Sequence, residues 1–171
     1  MKTPDIEKIR DILNYDPSTG IFTWLDDRRK RVLIGDVAGL KDKQGYIRIK
    51  IESQEYRAHR LAFLFMTGEI PEYVDHINRL KDDNRWENLR ACTFSQNMCN
   101  RGIKSNNKTG VLGVTWCKRR STWSVRVNYN KVRFERTFKD FELAELVASE
   151  ARSKFHGDFK ADNERSEKIA A

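Results

Sequence analysis

An adjacent aspartate and histidine, followed by two asparagines, form the part of this 171-residue chain best suited to chemistry. Asp75 and His76 are neighbours, and Asn88 and Asn97 follow 13 and 22 residues after Asp75. Histidine is a natural general base near neutral pH. Carboxylate and amide oxygens suit a hard divalent cation, and an amide oxygen can hold the second ring nitrogen of a histidine. These residue types are the ones that phosphodiester hydrolysis requires.

Each of these residues also has a structural interpretation. A single Asp-His pair is more often structural, Asn88 could cap a helix, and Asn97 could stabilise a turn. Their joint occurrence at this spacing favours the hydrolytic interpretation. Asn84 is expected to stabilise its loop, and His59 is expected to be a buried structural histidine at the start of an apolar helix.

The sequence around these residues resembles the HNH endonucleases, in particular the homing enzymes of phages and group I introns. The segments that carry the resemblance are Asp75-His76, Asn88-Leu89-Arg90, Gln96-Asn97-x-x-Asn100, His59-Arg60-Leu61-Ala62 and Thr67-Gly68-Glu69-Ile70-Pro71. The family has a ββα-metal motif, so the resemblance implies a two-stranded hairpin and a helix around one metal ion.

The resemblance implies a role for each residue of the motif. His76 would be the general base, Asn88 would orient His76, and Asp75 and Asn97 would ligate one Mg²⁺ or Mn²⁺ ion. Asn97 stands where many relatives have histidine, so the chain resembles an H-N-N variant. The chain lacks the C-x-x-C pairs of the zinc-containing branch, which predicts that the metal is catalytic only.

The positive charge is concentrated in one part of the chain. The whole chain has a formal charge of +8, and residues 101–136 contain ten basic residues and one acid, Glu135. Such a density of positive charge implies a polyanionic partner, most often nucleic acid. A solvated basic surface is the alternative interpretation.

Residues from Val111 to Phe159 resemble the DNA-binding domain of plant ethylene-response factors. The matching landmarks are Gly113-Val114, Trp123 to Asn128, Thr137-Phe138 and Phe155-x-Gly157-x-Phe159. The resemblance implies a three-stranded antiparallel sheet on one helix, with its outer face in the DNA major groove. Several positions that are arginine in the plant family differ here, so the plant target sequence is not transferred.

Strand alternation assigns the side chains of this sheet to its two faces. Trp123, Val125 and Val127 are expected to face the helix, and Phe134 and Arg136 are expected to face outward. The expected DNA-binding residues of the sheet and its turns are Thr115, Lys118, Arg119, Arg120, Arg126, Asn128, Arg133 and Arg136. The alternative is a small sheet that only stabilises the nuclease half.

Hydropathy and turn signals predict an α+β fold: a mixed body that contains the ββα-metal motif, then the three-stranded sheet on one helix. The predicted regions are an extension at 1–44 that begins with a helix over 5–14, a nuclease core at 45–103, a DNA-binding domain at 109–160 and a polar tail at 161–171. No apolar run is long enough to span a membrane, and no signal peptide is recognised. The three cysteines, Cys92, Cys99 and Cys117, make a disulfide framework unexpected.

The sequence therefore predicts a metal-dependent DNA endonuclease of homing type that leaves a 5′ phosphate and a 3′ hydroxyl. A single catalytic block predicts one cut per protomer, so a monomer, which is preferred over a dimer, would nick double-stranded DNA. The expected location is the cytoplasm, of a bacterial host if the source is a phage. No small-molecule cofactor is expected. The alternatives are a non-catalytic DNA-binding regulator and a defence or restriction nuclease.

Overall fold

The computed structural model describes residues 6–27 and 32–161, and the chain divides into two compact units between Cys92 and Thr93. Small antiparallel sheets and a few helices make up both units, which confirms the predicted α+β class. The division falls within the segment 45–103 that was expected to form the nuclease core. Residues 162–171 of the predicted polar tail lie outside the described residues.

The first unit contains three small antiparallel sheets and two helices. Two of the sheets are two-stranded, β1 with β2 and β6 with β7, and the third has the order β3-β4-β5. The elements are α1 (Ile6–Arg10), β1 (Leu13–Asp16), β2 (Ile21–Trp24), β3 (Leu40–Lys41), β4 (Ile47–Ile51), β5 (Gln54–Arg57), α2 (Ala58–Thr67), β6 (Tyr73–His76) and β7 (Leu89–Cys92).

The first helix is shorter than predicted, because the chain becomes a strand at Leu13. Helix α1 ends at Arg10, and Leu13 pairs with Trp24 in the β1–β2 hairpin. Leu13 is buried in either conformation, so its apolar character did not distinguish the last turn of a helix from a strand. A turn joins the two strands, and in it the N–H of Gly20 donates to the carbonyl of Asp16.

The β1–β2 hairpin shares one core with the rest of the unit. Leu13 and Phe22 from the hairpin are fully buried together with Ile49 of β4 and Leu61 and Leu64 of α2. Burial of apolar side chains of this size contributes about 1.5–3 kcal/mol each to folding. The hairpin is thus part of the body that carries the Asp-His pair.

Helix α2 places His59 inside this unit. It ends as predicted at Gly68, whose φ of 80° is left-handed and whose N–H donates to the carbonyl of Leu64. A left-handed residue at this position favours glycine. Apolar residues on the inner face of α2 pack into the core, and His59 in its first turn is 4 % exposed.

The second unit is a three-stranded antiparallel sheet packed on a helix, with a short helix at its start. Ala144 and Ala148 of the long helix are fully buried against Val125, and small side chains allow close packing of helix and sheet. No helix in the described ranges is both long and apolar enough to cross a membrane. The elements are α3 (Phe94–Cys99), β8 (Val114–Cys117), β9 (Thr122–Tyr129), β10 (Val132–Phe138) and α4 (Phe141–His156).

Candidate active site

The β6–β7 hairpin carries Asp75 and His76 at the end of its first strand. In the register of the hairpin, Asp75 lies opposite Arg90 and His76 lies opposite Leu89. Both side chains are buried, with exposed fractions of 6 % and 5 %. A buried carboxylate and a buried imidazole need polar partners, because an unpaired buried polar group is costly.

Asp75 is paired with the guanidinium of Arg90. Its Oδ2 accepts hydrogen bonds from Nε and Nη2 of Arg90 at 3.0 and 2.7 Å. Two bonds from one planar guanidinium hold a carboxylate in a defined orientation. Burial, and secondarily the charge of Asp75, raise the pKa of the nearby Cys92 thiol to about 11, so the Cys92 thiol is protonated at neutral pH.

The hydrogen-bond partner of His76 Nε2 is Asn84 Oδ1, at 3.2 Å. The amide nitrogen of Asn84 donates to the carbonyl of Asp82, and this bond assigns the amide oxygen to the His76 side. Because an amide oxygen can only accept, Nε2 carries the hydrogen and Nδ1 is the basic nitrogen. Burial lowers the pKa of His76, although the Asn84 bond and the charge of Asp75 act in the opposite direction.

Asn88 holds the loop between β6 and β7. Its Oδ1 accepts from the N–H of Asn78 at 2.9 Å, and its Nδ2 donates to the carbonyl of Asp83 at 2.8 Å. Asn88 therefore bonds two points of the loop, Asn78 near its start and Asp83 immediately before Asn84. In this structure Asn84 makes the amide contact with His76 that the sequence assigned to Asn88, and Asn88 fixes the shape of the loop.

Charged residues reinforce the same loop. The carboxylate of Asp83 accepts from both the Nε and the Nη2 of Arg85 and from the amide of Asn78 at 2.6 Å. The hydrogen bonds from the Arg85 side chain are the main reason that the pKa of Asp83 is lowered to about 2. Asp83 is therefore ionised at neutral pH, and its hydrogen bonds to Arg85 and Asn78 stabilise the loop.

The β1–β2 hairpin contacts the backbone of the loop at Asn84. The hydroxyl of Tyr15 donates to the carbonyl of Asn84 at 2.7 Å, and the N–H of Trp86 donates to the carbonyl of Pro17. Gly20 lies so close that an added Cβ would be 2.4 Å from the Asn84–Arg85 backbone. Sequence analysis assigned no role at the site to these hairpin residues, because the contacts join segments about 70 residues apart.

Two aromatic rings, those of His59 and Tyr46, lie beside the ring of His76. The ring of His59 lies 5.0 Å from that of His76, edge to face, and 5.4 Å from the ring of Tyr46. His59 Nδ1 is buried and has no hydrogen-bond partner among the described residues. Burial is the main reason that the pKa of His59 is lowered to about 3, and the charges of His76, Arg57 and Arg60 act in the same direction. His59 is therefore buried, as the sequence predicted, and it contacts His76.

Asn97 belongs to the second unit. It lies in helix α3, which begins with a capping box: Thr93 accepts from the N–H of Gln96, and the Gln96 side chain accepts from the N–H of Thr93. The order of β6, β7 and α3 along the chain is that of the hairpin and helix that the resemblance to HNH endonucleases implies. The role of Asn97 as a metal ligand stays a prediction from its position in the motif.

The oxygen donors of the motif fit a hard divalent cation. The described residues contain no group of three or more His, Cys, Asp or Glu side chains that could enclose a metal. Mg²⁺, however, is commonly held by one or two carboxylates and keeps several waters. Asp75 is such a carboxylate, already oriented by Arg90.

The sheet of the second unit has one basic face. By register, Thr115 lies opposite Ser124 on the face that also carries Arg126 and Asn128; we call this the outer face. Val125 and Val127 are buried on the helix side, as predicted. On the outer face Glu135 is paired with Arg126 at 3.0 Å and with Arg133 at 2.8 Å.

The face assigned to Phe134 and Arg136 was wrong. Phe134 lies opposite Val127, and Arg136 lies opposite Val125, so both are on the helix side of the sheet. Phe134 packs against the core and lies 6.3 Å from the ring of Phe155. Phe134 and Phe138 alternate with polar residues in β10, so strand alternation places both on one face, and the pairing with β9 turns that face toward the helix. Arg136 remains exposed, with its guanidinium over the Phe134 ring.

The remaining DNA-binding candidates are exposed. Lys118, Arg119 and Arg120 lie in the turn between β8 and β9. Their role in DNA binding, like that of the outer face, stays a prediction.

Comparison with known proteins identifies the segment that carries the Asp-His pair. Residues 56–99 match the family model described as HNH endonuclease. Protein 3.8 of Escherichia phage T7 is 29 % identical over 107 residues, which cover 60 % of this chain and 87 % of that protein. No solved structure matches significantly. Residues 56–99 are thus similar to the HNH endonucleases, and this similarity supports a nuclease that acts on DNA.

Proposed function

We propose that this protein is a metal-dependent DNA endonuclease of homing type that hydrolyses phosphodiester bonds in double-stranded DNA. The observation that carries the proposal is the buried His76, whose Nε2 is held by Asn84 and whose neighbour Asp75 is held by Arg90. This arrangement lies within the segment that matches the HNH endonucleases. The homing type rests on the sequence resemblance alone.

His76 is the general base of this proposal. Because Asn84 Oδ1 accepts the hydrogen on Nε2, Nδ1 is the nitrogen that takes a proton from a water molecule. The water oxygen then attacks phosphorus, and the bond to the 3′ oxygen breaks. This leaves a 5′ phosphate and a 3′ hydroxyl, whose proton comes from solvent.

Asp75 and Asn97 are the proposed ligands of a divalent ion. When bound, Mg²⁺ or Mn²⁺ would supply positive charge that stabilises the transition state at phosphorus. Arg90 holds the Asp75 carboxylate by two hydrogen bonds, so Arg90 would set the direction in which that carboxylate presents its oxygens. Asn88 acts on His76 through the loop, by bonding Asn78 and Asp83.

The second unit is the proposed source of affinity for the duplex. Its outer face carries Thr115, Arg126, Asn128 and Arg133, and the turn after β8 adds Lys118, Arg119 and Arg120. Contacts of basic side chains with phosphates release counterions, so binding is expected to weaken steeply with salt. With one catalytic block per chain, a monomer is expected to nick.

A plasmid relaxation assay tests the proposal. A supercoiled plasmid that carries DNA of the source genome is incubated with the full-length protein and Mg²⁺, Mn²⁺ or EDTA. The His76→Ala and Asp75→Asn variants are assayed in the same way. His156→Ala is the control, because it removes a histidine of the other unit. Metal-dependent relaxed circles that are lost in His76→Ala and Asp75→Asn, and kept in His156→Ala, are expected.

Other outcomes would point to the other hypotheses. Linear product would indicate paired protomers rather than a nicking monomer. No cleavage of any substrate, together with a salt-sensitive gel shift that survives His76→Ala, would favour a DNA-binding regulator. Cleavage of foreign DNA with sparing of the source genome would favour a defence nuclease over a homing enzyme.

A further inference from the structure

Two cations lie against one aromatic ring beside the proposed catalytic histidine. The guanidinium carbon of Arg57 is 4.4 Å from the centre of the Tyr46 ring, and Nζ of Lys81 is 4.9 Å from it. The Tyr46 ring in turn lies 6.1 Å from the ring of His76. These three residues come from different parts of the first unit: the start of β4, the end of β5 and the loop after β6.

The charges of Arg57 and Lys81 are not neutralised by carboxylates in the part of the chain that the structure describes. The acids nearby are paired with other cations: Asp42 with Arg48 at 2.7 Å, and Asp82 with Lys41 at 2.7 Å. Within the described ranges Arg57 makes no ion pair, and Lys81 donates only to the backbone carbonyl of Gln44. Both residues are exposed.

The arrangement also holds the two cations in place. Cation–π contacts contribute about 0.5–1 kcal/mol at exposed sites, enough to restrain long side chains without removing their charge. The bond from Lys81 to Gln44 fixes the ammonium above the turn that precedes Tyr46. Two restrained, unneutralised cations next to a proposed hydrolytic site suit an anionic ligand with repeated charges.

We propose that Arg57, Tyr46 and Lys81 form a docking site for the phosphate backbone of the DNA strand that is cut, and we call these three residues the Tyr46 platform. The inference rests on the proposed function. A strand of duplex DNA carries a phosphate about every 3.4 Å along the helix axis, so a strand with one phosphate at His76 places neighbouring phosphates within reach of the platform. The platform would align the strand, whereas the second unit supplies most of the affinity.

Salt dependence of binding tests the platform directly. The full-length protein, in EDTA, is titrated with a fluorescein-labelled linear duplex prepared from the plasmid substrate, and anisotropy gives the binding constant at several KCl concentrations. The variants are Arg57→Ala, Lys81→Gln and the pair combined; glutamine keeps a donor for the Gln44 carbonyl. Lys50→Ala is the matched control, because it removes one exposed cation from β4 away from the Tyr46 ring.

The logarithm of the binding constant decreases linearly with the logarithm of the salt concentration. The magnitude of this slope should decrease by about 0.9 for each phosphate that a variant no longer binds. The double variant should therefore show a decrease of about twice that amount, and Lys50→Ala should leave the slope unchanged. An unchanged slope in the double variant would overturn the platform. So would a decrease in Lys50→Ala as large as in Arg57→Ala, because the effect would then be one of net charge.

Plasmid cleavage separates the platform from the proposed function. If the wild type cleaves, each platform variant should raise KM about tenfold, the value of one charged hydrogen bond, with kcat nearly unchanged. Tyr46→Phe keeps the ring that contacts both cations and should retain the wild-type KM. Tyr46→Leu removes the ring and should raise KM. If the wild type does not cleave, the endonuclease proposal fails while the salt slopes still decide the platform. If it cleaves and the slopes do not change, the platform alone fails.

Discussion

The hydroxyl of Tyr15 donates a hydrogen bond of 2.7 Å to the backbone carbonyl of Asn84, 69 residues further along the chain. Asn84 is 2 % exposed, and its side chain holds Nε2 of His76 at 3.2 Å. The position of the imidazole therefore depends on a hairpin near the start of the chain. The hairpin contributes support to the site rather than chemistry.

Replacing Tyr15 by phenylalanine should destabilise the first unit. The variant leaves the buried carbonyl of Asn84 without its donor, which costs about 1–3 kcal/mol. Tyr56→Phe is the matched control, because the Tyr56 hydroxyl bonds the exposed side chain of Gln54, and it should change stability by less than about 0.5 kcal/mol. Urea unfolding measures both, and equal effects in the two variants would contradict the supporting role of Tyr15.

Replacing Asn84 by alanine should lower the rate of cleavage more than the affinity for DNA. Without the amide oxygen, the ring of His76 loses the partner that selects its tautomer. Loss of a group that orients an active-site histidine costs about 10–100-fold in activity. Single-turnover cleavage of plasmid DNA gives the rate, and gel shifts in EDTA give the affinity.

The companion variant Asn88→Ala distinguishes the two asparagines. It should lower the stability of the loop, because Asn78 N–H and the Asp83 carbonyl lose their partner. If Asn84→Ala cleaves at the wild-type rate and Asn88→Ala is inactive yet fully stable, then Asn88 orients His76 in the working enzyme.

The stability of the protein should fall as the pH is lowered through the region in which His59 titrates. The folded pKa of about 3 lies below the ordinary value of 6.5, so the unfolded chain binds more protons between these two values. At about 1.4 kcal/mol per pH unit, His59 should account for a loss of about 2 kcal/mol between neutral pH and pH 5. Urea unfolding of the wild type and of His59→Phe at pH 7.5 and 5.0 measures this contribution, which should be absent from the variant.

The same pH dependence in both proteins would assign the acid sensitivity to other groups. Asp83 contributes with the same sign, but only as the pH falls toward its lowered pKa of about 2. Its contribution is lost only as the pH falls from the ordinary pKa of 3.8 toward about 2, so it is nearly constant between pH 7.5 and 5.0, where His59 is measured.

Neutralising Glu135 should strengthen DNA binding by the second unit. Glu135 pairs with Arg126 and Arg133 on the outer face, and its pKa is lowered, chiefly by the hydrogen bond from Arg126. Glu135→Gln removes a negative charge that would approach the phosphates, so the affinity should rise about fivefold. Gel shifts at low salt measure it. Glu150→Gln, which changes the charge equally on helix α4, should have little effect, and weaker binding by Glu135→Gln would mean that the acid positions the arginines.

Local patterns predicted much of the fold. Alternation, turn residues and the spacing of apolar residues, all of them local features, indicate four strands, the long helix and one helix end. These are β4, β5, β9 and β10, helix α4 and the end of helix α2 at Gly68. The start of β1 and the faces of β10 did not follow from them. Leu13 fits the apolar pattern of a helix or of a strand, and the pairing of Phe134 with Val127 of β9 shows which face of β10 lies against the helix.

The sequence by itself determined which chemistry the chain can carry. An Asp-His pair, amide side chains and a dense run of basic residues are properties of composition and spacing, and the Asp-His pair lies in the segment 56–99 that matches the HNH endonucleases. Only the tertiary structure decided that Asn84 contacts His76, that Asn88 holds the loop, and that Tyr15 and Gly20 support it from the hairpin. The physical reason is that a polar loop has many local conformations of similar energy, and contacts made by distant segments select one of them.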